Sequence, residues 1–227
     1  MLILAADTSG KFGSIALAQC GPQDDCRILE VVPLTGGTFS AQLVPQIAVL
    51  LQKHGFSKID VDGFAVASGP GSFTGLRVGL AAIKALAEVL GKPITAVSLL
   101  EALAAATREE NGSFLAALDA GRGEIYVAEC ESRGDVKSPA VLSERLLTKE
   151  EFISAAKGKT VITPDKPVAA LATVAALAVR EVERPRSDTI ARIGWRKIQT
   201  GEIISPEGLD ANYIRRSDAE IFAKTSS

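Results

Sequence analysis

Apolar positions in the first half of the chain recur with two periods, and the switches between them predict the order strand, strand, strand, helix, strand, helix, strand, helix. The runs LILAA (2–6), GSIALAQC (13–20) and CRILEVVPL (26–34) are apolar or alternating and are separated by Gly, Asp and Pro signals, as short paired strands are. Helical spacing follows over 41–54, with Leu43, Ile47 and Leu50 on one face and Gly55 just past the end. Pro45 suits that helix only in its first turn, where a missing N–H costs nothing. Strand 63–68, helix 74–90, strand 94–98 and helix 99–109 complete the half. Helix 74–90 carries two apolar stripes, Leu76, Leu80, Ile83, Ala87 and Leu90 on one side and Gly75, Gly79, Ala82, Leu86 and Val89 on another, with only Arg77, Lys84 and Glu88 charged. A helix apolar round most of its girth is covered on two sides. The spacing Gly75-x-x-x-Gly79 leaves a groove for a second helix, either the chain's own or a partner's.

The second half restarts the plan. LAADTSGKFGSIALAQC (4–20) and LAALDAGRGEIYVAEC (115–130) each read as an apolar strand, an aspartate, a glycine turn and a second strand ending in Ala, one residue and Cys. Two lobes are expected, 1–110 and 111–227, with the final segment returning to the first. The plan resembles the actin-like and sugar-kinase-like ATPase superfamily: an α/β fold of two RNase H-like lobes whose mixed sheets are flanked by helices.

GPGSFTGLRVG (69–79) is neither a Walker loop, since no Gly-Lys-Ser/Thr follows, nor G-x-G-x-x-G, since Thr74 stands at the third glycine. It is a strand-to-helix turn with Ser72 and Thr74 as candidate caps and Arg77 in the first helical turn, a plain tight turn or an anion site. Asp7, Gly71, Ser72, Phe73, Thr74 and Arg77 are therefore candidates for lying near a nucleotide. Asp7 and Asp119 could hold magnesium through water, or each could cap its own turn. A stand-alone small-molecule kinase or ATPase built on Asp7, Asp119 and the Gly69–Gly75 turn is the alternative function. Against it, Lys159–Ile193 contains no glycine for an adenosine-holding turn.

Composition narrows the chemistry further. Of 227 residues 47% are apolar but only 5% aromatic, and mean hydropathy is +0.21, so the core is built from Ala, Leu, Val and Ile, as between helices and a buried sheet. His54 is the only histidine, which leaves neither a two-histidine metal site nor a base for a Ser-His-Asp triad; a surface or helix-end role is expected for it, and no metal. Cys20, Cys26 and Cys130 form no C-x-x-C pair and are expected as buried inert thiols, without a disulfide framework. Net charge −2 and pI 5.6 lack the basic excess of a nucleic-acid surface, so any RNA is expected to be held by something else. No apolar run approaches the roughly 20 residues of a membrane span, and a cytoplasmic protein is expected.

The stretches LAADTS with GSIAL, GPGSFTGLRVG, ALDAGRGEIYVAE and NYIRRSDAE together resemble the TsaB (YeaZ) family of bacterial proteins needed to make threonylcarbamoyladenosine in tRNA. The resemblance covers nearly the whole chain, and GPGSFTG is its most diagnostic part. It implies a non-catalytic scaffold and activator that dimerises with the transferase TsaD through the helices after residues 40 and 74 and helps recruit the ATPase TsaE. The tRNAs concerned read codons beginning with A. The implied partner face comprises Leu43, Gln46, Ile47, Leu50, Gly75, Gly79, Ala82 and Leu86, shared with a homodimer when the chain is alone. The family implies no cofactor of the chain's own, with ATP or ADP a candidate at the partner interface. The chain departs from the family pattern at Phe39-Ser40, where a His-Ser or His-Thr pair is usual, at Gly121, where a basic residue is common, and at ITPDKP (162–167), which replaces a glycine-bearing turn.

Overall fold

The computed structural model describes residues 1–22, 25–35, 38–107, 112–133, 139–205, 207–212 and 214. They fall into two compact units, Met1–Ala102 with Pro185–Ala211, and Leu103–Arg184 with Asn212 and Ile214. Most of NYIRRSDAE lies outside the described residues.

In the first unit β1 (Leu2–Asp7), β2 (Phe12–Cys20) and β3 (Cys26–Thr35) form an antiparallel meander, and β4 (Gly63–Gly69) and β5 (Ile94–Ser98) add parallel to β1, giving the order β3-β2-β1-β4-β5. Between them run α1 (Phe39–Lys53) and α2 (Phe73–Leu90), and α3 (Leu99–Ala105) follows β5. β1 and β4 are buried at every position, the reading expected of strands covered on both faces. One cover is α1 with α2. The other is α6 (Ser187–Gln199), which packs across β1, β2, β4 and β5. Neighbouring residues of β2 show the two sides: a Cβ on Gly13 would meet the Phe39 ring of α1, whereas Ser14 Oγ accepts the Ser187 N–H of α6 at 3.0 Å.

The second unit repeats the topology. β6 (Gly112–Gly121), β7 (Glu124–Ser132) and β8 (Ala140–Thr148) form the meander, β9 (Thr160–Thr163) and β10 (Val179–Glu181) run parallel to β6, and the order is β8-β7-β6-β9-β10. α4 (Lys149–Ala155), opened by a Thr148–Glu151 capping box, and α5 (Lys166–Val174) flank it. Phe152 is the largest side chain in a core of Leu115, Ile125, Val127, Val161 and Val168. The chain thus has the actin-like, RNase H-like α/β architecture, and the hairpin repeat marks a duplicated sheet.

Two local expectations are corrected. Pro45 is the seventh residue of α1, not in its first turn; it is exposed, so the carbonyl deprived of a partner lies on the wet side of the helix. Cys20 and Cys26 form a disulfide, because the β2–β3 register brings them face to face at the hairpin end. Cys130 is free, and burial pushes its thiol up to about 12 from an ordinary 9.0. At pH 8 dithionitrobenzoate is therefore expected to label no thiol in the native chain and one per chain after denaturation; native labelling at the denatured rate would contradict this. The same shift makes folding lose stability as pH rises from about 9 toward 12, where only the unfolded thiol ionises.

Candidate functional site

The β1–β2 turn, Asp7–Gly10, and the Gly69–Arg77 turn interlock. Asp7, Thr8 and Ser9 are 6%, 2% and 4% exposed. Asp7 Oδ1 accepts the Ser9 N–H at 2.9 Å and the Ser9 hydroxyl at 2.6 Å, an Asx turn. The Ser9 carbonyl accepts the Ser72 N–H at 2.6 Å, and Thr8 Oγ1 donates to the Gly75 carbonyl at 2.7 Å. This closeness is what the glycines permit. A Cβ on Gly71 would lie 2.5 Å from the Ser9 carbonyl oxygen, one on Gly75 2.1 Å from that of Thr8, and one on Gly79 2.3 Å from Thr8 Oγ1.

Gly75 and Gly79 therefore face the chain's own hairpin turn, and this corrects their assignment to a partner groove. Ser72 is the N-cap of α2, accepting the Gly75 N–H at 3.3 Å, while Thr74 is exposed within the first turn and caps nothing. Arg77 stacks its guanidinium 3.7 Å from the centroid of the exposed Phe73 ring. Gly91, with φ +62°, closes the helix in the left-handed conformation.

Most of the α1 residues expected on the partner face are internal as well. Leu43, Ile47 and Leu50 belong to the core, and Gln46 is half-buried. The apolar side chains turned outward are Val44 and Val49 (58% exposed), with Ala48 between them. On α2, Ala82 and Leu86 are half-buried, Ala81 and Ala85 are exposed, and Val89 is 80% exposed. The second stripe of α2 is thus closed by Thr8 at its N-terminal end and opens to the surface past Gly79. α1 and α2 pack together, and each leaves apolar side chains exposed: Val44, Ala48 and Val49 on α1, and Ala81, Ala85 and Val89 on α2.

His54 caps the C-terminus of α1, with Nε2 2.9 Å from Glu30 Oε2 on β3, as a helix-end histidine should. Hydrogen bonds from Lys53 and then His54 hold the Glu30 carboxyl below its usual range. Ser72 has no imidazole beside it, since the single histidine is committed here.

The second hairpin turn is built like the first. Asp119 Oδ1 accepts the Gly121 N–H at 2.8 Å, again two residues on. Gly121, Arg122 and Gly123 all have positive φ, 68°, 56° and 81°, so glycine at 121 answers a backbone need. The Asp119 N–H donates to Asp165 Oδ2 at 2.9 Å. In both hairpins the aspartate takes the bland role of tying its own turn. Among the described residues no group of three or more His, Cys, Asp or Glu is placed to hold a metal, and no described helix is long and apolar enough to cross a membrane.

The TsaB protein of Bacillus subtilis (strain 168), "tRNA threonylcarbamoyladenosine biosynthesis protein TsaB", is 30% identical over 97% of this chain and 96% of its own. The chain belongs to the TsaB family. The protein of the same name from Escherichia coli (strain K12) is 28% identical over 96% of each. A solved structure, an uncharacterized Pseudomonas aeruginosa protein described as similar to peptidase YEAZ, superposes with TM-score 0.73 at 26% identity, over 94% of this chain and 99% of that one. Residues 31–192 also match the family model "TsaD: tRNA N6-adenosine threonylcarbamoyltransferase", so this TsaB-family chain shares ancestry with the transferase itself.

Proposed function

We propose that this chain is a non-catalytic subunit of the assembly that makes threonylcarbamoyladenosine in tRNA, docking on TsaD through the exposed band of α1 and α2 and helping to recruit TsaE. The names of its relatives support the role in the pathway. The observation that carries the docking is Val44, Val49 and Val89 exposed on two helices that pack together. Such a band is an aggregation hazard unless a partner covers it. Alone, the chain covers it by isologous pairing with a second copy, and TsaD displaces that copy. The tRNA is reached only through the complex, in the cytoplasm, since the chain's net charge of −2 gives little counterion release.

The chain supplies no cofactor of its own. The Ser9, Asp119 and Gly121 N–H groups at the two hairpin turns already serve internal carboxylates, which argues against the stand-alone kinase reading. An ATP or ADP at the joint interface would rest mainly on the partner.

Val49→Asp with Ala85→Arg places two charges in the band without touching the core. Sedimentation of the folded variant with TsaD should show association weakened at least about 10-fold, which is about 1.4 kcal/mol, with an unchanged melting temperature. A folded variant that binds TsaD as the native chain does would end the docking proposal.

A further inference from the structure

We infer that Asp165 is a built-in anion: its carboxylate fills the anion position of the second hairpin turn and keeps that turn closed to phosphates. An aspartate at a helix N-cap ordinarily spends its side chain on the N–H groups of the first turn. Asp165, the N-cap of α5, makes no such bond. The local sequence explains why: Pro167 at the second helical position has no N–H to offer, and the Val168 and Ala169 N–H groups both donate to the Asp165 backbone carbonyl at 3.0 Å. The carboxylate is free to reach elsewhere. It accepts the Asp119 N–H, 46 residues away, on Oδ2, and pairs with Arg184 Nη2 at 2.5 Å on Oδ1. The neighbouring Thr163 steadies this turn, Oγ1 accepting the Asp165 N–H at 3.1 Å and its carbonyl accepting the Val182 N–H at 3.1 Å.

A backbone N–H at the mouth of a hairpin turn and a guanidinium are the donors a phosphate or a small carboxylate would use. Here one side chain of the same chain takes both. Only 16% of the Asp165 side chain is exposed, so an incoming anion would have to displace it from two bonds already made. The inference concerns the second unit alone and needs no partner, so it stands or falls apart from docking on TsaD.

The test is removal and replacement of the carboxylate in the full chain. The native melting temperature should be the same in chloride, formate and inorganic phosphate at matched ionic strength. Asp165→Gly should lower it by on the order of 5 °C. Formate or phosphate should then restore most of the loss, and Arg184→Gln in the same chain should abolish the restoration. Three results would overturn the inference: native stabilisation by phosphate that requires Arg184, an Asp165→Gly chain as stable as the native one, or restoration that survives Arg184→Gln. Should Asp165→Gly fail to fold, Asp165→Asn keeps an acceptor for the Asp119 N–H and drops only the charge. Its effect should then be strongly non-additive with Arg184→Gln, and additivity would sink the idea.

Discussion

Gly75→Ala is expected to destabilise the first unit by roughly 3 kcal/mol or more, far beyond the gain of about 1 kcal/mol that alanine gives a helix interior. The added Cβ would stand 2.1 Å from the Thr8 carbonyl oxygen, backbone that is itself locked by the Asp7–Ser9 turn. Gly79→Ala meets a side-chain atom instead, Thr8 Oγ1 at 2.3 Å. Thr8→Ala removes that atom and leaves Thr8 Cβ at 3.5 Å, an ordinary contact. Gly79→Ala should therefore be rescued in a Thr8→Ala background and Gly75→Ala should not. Urea denaturation followed by the emission of Trp195, the only tryptophan and buried in α6, reads the result. Equal rescue of both glycine variants would show that Thr8 is not what the glycines accommodate.

Phe152→Ala should cost the second unit about 3–5 kcal/mol, because its ring is fully buried among Leu, Ile and Val side chains and its loss leaves a cavity in that core. The readout is a split between probes. Trp195 belongs to the first unit and Phe152 to the second. In the variant, far-UV circular dichroism should begin to fall at lower urea than the Trp195 emission change, a departure from two-state behaviour. Coincident transitions would mean that loss of the second core unfolds both units together.

Much of the architecture was legible in the sequence because it is local. The 2.0 and 3.6 periods placed β1 to β5, α1 and α2, and the paired Asp-Gly hairpins announced the duplicated sheet. The exposed apolar residues of α1 were not legible in the same way. Leu43, Ile47 and Leu50 form the stronger helical stripe, and a strong stripe is what a core takes; the surface band runs through Val44, Ala48 and Val49, which look unremarkable in sequence. Gly75-x-x-x-Gly79 announced close approach but not what approaches, since Thr8 lies 67 residues from Gly75 and only the folded hairpin brings it there. Nothing in the sequence singled out Asp165, whose role depends on Pro167 and on Asp119, 46 residues away. The Cys20–Cys26 pair was masked by an odd cysteine count, although the hairpin register that joins them follows from the strands themselves.

The placement of α6 has a consequence for how the chain is made. Gly194 lies so near Ala65 on β4 that a Cβ would come within 2.3 Å, and Ile198 reaches Gly63, so this helix is the lid of a sheet whose strands were all synthesised before Leu103. On the ribosome that face stays bare while Leu103–Arg184, which carry the second unit's sheet, are translated. At roughly 5–20 residues per second the interval lasts on the order of 5–20 s. The second unit can finish its core in that time, and the first cannot. The N-terminal unit is thus the last to close, and the nascent chain must keep an apolar sheet face from other chains until Pro185–Gln199 emerges.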